Sequence, residues 1–252
     1  MTPVRPRVGV IPYLNCEPFF AHLSGFPTVA MPPRQLGEAV ERGEADTAPL
    51  SLADFLRLES RLEGLPYGIA TTGPARSVFL FSDRGPAELD GKVVGVTTET
   101  ATSVEILRIL LAQRYRVTPR AWTTPGPACD AILLIGDAAI REITAPRRFA
   151  YAVDLGSEWT EWTGLPCVFA RWGIRTAVPP AERAAFARAL EASLTKGLGD
   201  LPAIAARRRD TGWSEAEVIT YLAAFAYRFG PAEERAIDEF RRRRALLPPR
   251  AS

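Results

Sequence analysis

The sequence predicts an α/β protein of two lobes that interleave along the chain. Three patterns lead there: strands and helices alternate from the first apolar run onward, two stretches read as crossings between lobes, and polar residues recur where strands give way to helices. A β–α–β–α succession implies a parallel sheet with right-handed crossovers. Each lobe is then a mostly parallel sheet flanked by helices, whose ligand lies at the carboxyl ends of the strands. The expected lobes are residues 1–82 with 172–252, and residues 83–171, joined by crossings near 82–92 and 166–174, with a ligand cleft between them.

The first strand is expected at residues 8–11, in the centre of its sheet, and runs without a spacer into an apolar helix near 17–23. Pro18 suits the first turn of that helix, where its missing N–H costs nothing. Asn15 then stands at the N-cap or just before it. Unpaired N–H groups and a partial positive charge make such a turn an anion site, and Asn15 adds a side-chain amide. Helix capping is the simpler role for the same residue. A turn-rich connection at 25–33 leads to a helix at 35–42, closed by Gly43, and a strand at 45–51 ends in polar residues before a helix at 52–62.

Strands at 67–72 and 77–82 precede a polar, turn-rich segment at 83–92. A new buried strand follows at 93–96, and residues 97–103 lead into an amphipathic helix that turns Val104, Leu107, Leu110 and Leu111 inward. An apolar strand at 130–135 turns through Gly136 and Asp137 into a helix at 138–143. Further on come a strand at 149–155, a helical turn at 158–163 and a long strand at 166–174. The remainder is helical. Residues 180–198 carry Phe186, Leu190, Leu194 and Leu198 at i+4 spacing, Ser214 and Glu217 form a capping box before Val218, Tyr221, Leu222 and Phe225, and a last helix spans 231–246. Arg241 to Arg244 sit at the end of that helix, where solvated cations complement the dipole; phosphate binding is the alternative.

Composition removes several function classes. A net charge of +2 gives no electrostatic drive toward nucleic acid. Cys16, Cys129 and Cys167 are odd in number and lack metal-ligand spacing, so neither a disulfide framework nor a zinc site is expected. No apolar run approaches the roughly 20 residues that span a bilayer. The first residues lead into a strand without a signal-peptide core, so the expected location is the cytoplasm. Glycine-rich dinucleotide and Walker loops, the G-x-S-x-G elbow and H-E-x-x-H are all missing. The single histidine, His22, follows Cys16 by six residues on one expected helix, about 120° around it, so the two cannot pair.

What remains is a set of polar residues at strand ends: Tyr13, Asn15 and Cys16 in the first turn, Ser51, Arg76 and Ser77, the 97–103 segment, and Asp137. Thr100, Ala101, Thr102 and Ser103 offer hydroxyls beside a helix N-terminus, which suits a carboxylate or phosphate. Capping by Thr100 or Thr102 explains the same residues, and Asp137 also reads as a helix cap.

Six stretches carry a resemblance. They are the Ile11-Pro12-Tyr13-Leu14-Asn15 turn, Gly73-Pro74-Ala75-Arg76-Ser77-Val78, Asp90-Gly91-Lys92, Thr100-Ala101-Thr102-Ser103-Val104, Leu134-Ile135-Gly136-Asp137, and Asp154-Leu155-Gly156-Ser157-Glu158-Trp159 followed by Thr163-Gly164-Leu165-Pro166. In order and spacing, to about residue 200, the chain resembles the chorismate dehydratases of the futalosine route to menaquinone. The resemblance implies a type 2 periplasmic-binding-protein-like fold and the loss of water from chorismate to give 3-[(1-carboxyvinyl)oxy]benzoate, with no metal or redox cofactor. It implies Asn15 and Ser77 as the catalytic positions and the turn from Thr100 to Ser103 as a carboxylate site. Tyr13, Cys16, Ser51, Arg76 and Asp137 complete the expected substrate contacts. The chain departs from the family pattern at Cys16, where a small residue such as threonine is expected.

The expected partner is the small-molecule substrate alone, with no nucleic acid and no membrane; a homodimer is left open. The sister enzyme forming 1,4-dihydroxy-6-naphthoate is the nearest alternative, but it relies on a histidine base in the second lobe, and no histidine follows His22. A solute-binding module for a small carboxylate shares the fold without the chemistry. An exported receptor needs a signal peptide, and an effector domain of a transcription regulator needs a DNA-binding helix pair ahead of the first strand.

Overall fold

In the computed structural model, which describes residues 5–99 and 101–248, eleven strands form two sheets. They are β1 (Val8–Val10), β2 (Thr28–Ala30), β3 (Thr47–Ser51), β4 (Leu62–Thr71), β5 (Val78–Ser82), β6 (Val93–Val96), β7 (Ala121–Thr123), β8 (Ala131–Ile135), β9 (Tyr151–Asp154), β10 (Cys167–Arg175) and β11 (Phe225–Arg228). One sheet has the order β11-β4-β10-β3-β1-β2, the other β7-β6-β8-β5-β9. The chain divides into two units. The first holds the chain up to Ile69 with Phe169–Arg228, the second Ala70–Val168 with the chain from Phe229 onward.

These units differ from the expected lobes at two places. The first crossing falls inside β4, at Ile69, and not at 82–92. The reason is β5: its five residues are all buried and pair on both sides, with β8 and with β9, so they belong to the second sheet. The chain also crosses a third time, after Arg228, and the helix Pro231–Ala245 joins the second unit. There Phe240 packs on Trp159 with ring centroids 6.3 Å apart, and the Arg243 guanidinium lies 3.6 Å from the Trp162 ring centroid.

Both sheets are mixed. In the first, β1 runs parallel to β2 and β3, while β10 runs antiparallel to β3. In the second, β6 is parallel to β7 and β8, while β5 is antiparallel to β8 and β9. β1 lies one strand from the edge, because residues 28–30 form the edge strand β2 inside the expected turn region. Phe225 starts β11 and does not extend the helix Glu215–Ala223; Phe225 and Tyr227 alternate with period two, and both are buried. The Ser214–Glu217 capping box forms, with Ser214 N–H donating to Glu217 Oε2 at 2.8 Å and Glu217 N–H to Ser214 Oγ at 3.3 Å.

The first helical segment is shorter than 17–23. A 3-10 turn, Leu14–Cys16, leads into one α-turn, Glu17–Phe20. So short a helix cannot hold itself together and depends on packing. Phe19 is fully buried between Trp172 and Tyr227, each ring centroid 5.4 Å away, and Phe20 lies 5.7 Å from Trp172. The long helix Pro180–Gly199 supplies the other wall. Its Ser193 hydroxyl donates to the Phe19 carbonyl at 2.7 Å, and Gly197 sits so close to Pro18 that a Cβ there would lie 2.2 Å from the Pro18 carbonyl oxygen.

No methyl group fits in that gap, and the obstacle is backbone, not a flexible side chain. Gly197→Ala is therefore expected to cost about 1–3 kcal/mol, the range for overpacked sites. Thermal unfolding of the variant measures this, and an unchanged midpoint would show that the contact is looser than described.

Candidate functional site

In the first unit, β1 and β3 run in one direction and β10 against them, so the exits of β1 and β3 share an edge with the entry of β10. Two turns carrying candidate residues emerge there. Tyr13 precedes the 3-10 turn with an extended backbone, and its carbonyl accepts from the Cys16 N–H at 2.9 Å. Asn15 lies inside this turn and not at the cap of the following helix. Its Oδ1 accepts from the buried Cys16 thiol at 3.5 Å. Ser51 ends β3 and caps the helix Leu52–Leu58: its hydroxyl donates to Asp54 Oδ2 at 2.7 Å and accepts from the Asp54 N–H at 3.2 Å. The Ser51 hydrogen is thus committed within the protein.

His22 stands beyond the helical turn, with Nε2 3.7 Å from Asp200 Oδ2. Glu17 meets Arg208 at 3.0 Å on the same side of this unit. Cys16 and His22 do not form a nucleophile–base pair.

In the second unit, β6, β8 and β9 end where β5 begins. The registers Val96 with Leu133, Val78 with Ile135 and Phe79 with Asp154 fix this arrangement. Four turns therefore collect along one edge: the segment after Val96, Gly136 with Asp137, the start of the helix Leu155–Thr163, and the 73–77 loop. Ser77 is 1% exposed; its hydroxyl donates to the Ala75 carbonyl at 3.3 Å, and its own carbonyl accepts from the Gly136 N–H at 2.7 Å. Asp137 occupies the first turn of the helix Gly136–Thr144, whose cap position, Ile135, makes no side-chain cap bond. Ser77 and Asp137 are thus brought to one corner.

The turn after β6 leads into the helix Thr102–Ile109, with Ala101 at its cap position and no side-chain cap bond. Thr102 and Ser103 are buried in its first turn, and the Thr97 hydroxyl accepts from the Glu99 N–H at 3.2 Å. Thr100 lies outside the described residues. Arg76 has an exposed side chain and a backbone φ of +57°, a region that non-glycine residues rarely adopt.

Asp154 is the residue that strand-end reasoning did not single out. It is the last residue of β9 and the cap of the helix Leu155–Thr163, and its carboxylate accepts four backbone N–H groups: Ala75, Gly156 and Ser157 on Oδ1, Arg76 on Oδ2. Burial pushes its carboxyl above the usual carboxylate range, against the opposing pull of those N–H groups. The same burial, with the Asp154 charge added, pushes the Cys167 thiol well up. The Asp-Leu-Gly-Ser run following an expected strand was the available signal, since a cap residue there can also reach a neighbouring loop.

Known proteins resemble this chain over nearly its whole length. The family model described as menaquinone biosynthesis matches residues 6–245. The chain belongs to the menaquinone biosynthesis family. A relative from Thermus thermophilus, named chorismate dehydratase, is 32% identical, with 94% of each chain covered. Among solved structures, a protein from Archaeoglobus fulgidus superposes with a TM-score of 0.78 at 15% identity, covering 96% of this chain and 97% of its own. The periplasmic aliphatic sulphonate binding protein of Escherichia coli gives 0.66 at 16% identity, covering 100% and 94%. These likenesses show the type 2 periplasmic-binding-protein-like fold, two mixed α/β lobes each with a sheet flanked by helices. No helix among the described residues is long and apolar enough to cross a membrane.

Burial sorts the three thiols of this family member. Cys16 and Cys167 are 1% and 0% exposed, whereas Cys129 is partly accessible. In the native protein a maleimide reagent is expected to modify Cys129 quickly and the other two only on unfolding. Peptide mapping after brief labelling reads this out, and fast modification of Cys16 would contradict the described turn.

Proposed function

We propose that this protein is a chorismate dehydratase, which eliminates water from chorismate to give 3-[(1-carboxyvinyl)oxy]benzoate. The observation that carries the reading is the near full-length match to the Thermus thermophilus chorismate dehydratase. The polar turns gathered at one edge of each sheet support it. Removal of the proton at the ring carbon bearing the enolpyruvyl ether, with departure of the neighbouring hydroxyl, makes the ring aromatic. The proton and the hydroxyl leave as water, and the reaction is strongly downhill, so a weak base suffices.

The substrate's own enolpyruvyl carboxylate serves as that base in this reading. The Asn15 amide donates to this carboxylate or to the departing hydroxyl, and Ser77 orients the ring substituents. Tyr13, Cys16, Ser51, Arg76 and Asp137 line the substrate in the same proposal. Thr100, Ala101, Thr102 and Ser103 receive a substrate carboxylate, drawn by the positive end of the helix that they lead into. Ser51 contributes through backbone position, because its hydroxyl is held by Asp54. The protein works on a small molecule in the cytoplasm, as a monomer or a homodimer.

Incubation of the purified protein with chorismate, followed by liquid chromatography and mass spectrometry, is expected to yield a product lighter by one water that keeps the enolpyruvyl group. Asn15→Ala and Ser77→Ala are each expected to lower kcat by about 100-fold or more, the usual cost of removing one well-placed donor. Untouched chorismate with folded protein, or wild-type turnover by both variants, would overturn the proposal.

A further inference from the structure

The Asp154 carboxylate divides its work between two structures. Oδ1 accepts from Gly156 at 2.9 Å and Ser157 at 3.1 Å, which caps the helix Leu155–Thr163, and from Ala75 at 2.9 Å. Oδ2 accepts from Arg76 alone, at 2.6 Å. Arg76 is the residue at φ +57°, and Ser77 follows it directly. Gly156 presses on the same loop from beneath: a Cβ there would lie 2.7 Å from the Gly73 carbonyl oxygen and 2.9 Å from the Ala75 nitrogen.

A backbone in the left-handed region persists in a non-glycine residue only where its surroundings over-determine it. Here the determinant is one partly buried carboxylate, gripping the two N–H groups that precede Ser77 while anchored by the helix cap. We propose that Asp154 is a positioning residue for the dehydration: it fixes the 73–77 loop so that Ser77 and Arg76 are presented at the strand edge. The inference rests on the chorismate dehydratase reading. Asp154 touches no substrate in this scheme; its effect passes through Ser77.

The division between the two oxygens permits a selective lesion. In Asp154→Asn the amide oxygen stays with the three N–H groups of Ala75, Gly156 and Ser157, and the N–H₂ then meets the Arg76 N–H, donor against donor. The cap survives and the latch on Arg76 is lost. Expected are faster hydrogen exchange at the Arg76 amide, a fall in kcat of about 10- to 100-fold, the scale of a small misplacement of a reacting group, and a KM changed less than about threefold. Gly156→Ala keeps the carboxylate but displaces the loop from the other side, and should reproduce the kcat loss.

Asp83→Ala is the comparator. It removes the acceptor of the Ala150 N–H, 3.1 Å away, at the far edge of the same sheet, where β5 ends and β9 begins, so the melting temperature falls while kcat per folded molecule holds. A merely structural Asp154 would behave as Asp83 does. An active wild type with unaltered kcat in both Asp154→Asn and Gly156→Ala overturns this inference alone. A wild type that leaves chorismate untouched overturns the proposed reaction, and this inference with it.

Discussion

In each sheet a strand runs against a neighbour, β10 against β3 and β5 against β8 and β9, and the placement of the candidate residues depends on that reversal. A parallel strand delivers functional loops only where it ends. An antiparallel strand set among parallel ones also delivers the loop that leads into it. β5 does this in the second unit: its entry, with Arg76 and Ser77, shares an edge with the exits of β6, β8 and β9. β10 is the counterpart in the first unit, entering beside the exit of β3 at Ser51. Residues far apart in sequence thereby meet without long connecting loops.

The two units hold their turns by different physics. The Asn15 turn is fixed by apolar packing and close backbone approach, with Phe19 set between Trp172 and Tyr227 and Pro18 against Gly197. The Ser77 loop is fixed by charge. A carboxylate drawn largely out of water is costly unless its lone pairs are filled, and Asp154 fills them with four backbone donors. Packing is non-directional and leaves the Asn15 amide to be oriented by its neighbour Cys16; hydrogen bonds are directional and dictate a backbone conformation that Arg76 would not choose.

Much of this was legible in the residues. The apolar runs that became β6 and β8 announce buried strands, and the Ser214–Glu217 pair marks its helix start within one residue. The resemblance over most of the chain named the fold and the family. What stayed hidden has common causes. β2 and β7 are three-residue edge strands with exposed side chains, so no alternation of apolar and polar residues betrays them. Phe225 continued the helical spacing of Tyr221 and Leu222, and only its pairing in the sheet makes it a strand. The lobe boundary falls elsewhere than expected because four of the five β5 residues are apolar and fit either sheet; its partners, β8 and β9, lie about 50 and 70 residues downstream. Asp154 drew attention as part of a motif, yet its grip on a loop nearly 80 residues upstream needed three dimensions.

The three crossings of the chain also govern how the molecule is made. The first unit is completed only when residues 169–228 are available, and the second only when the helix Pro231–Ala245 arrives to cover Trp159. Synthesis from the N-terminus therefore yields no finished unit until residue 228 has been made. For most of translation both sheets exist as partial structures with apolar faces bare, Trp159 among them.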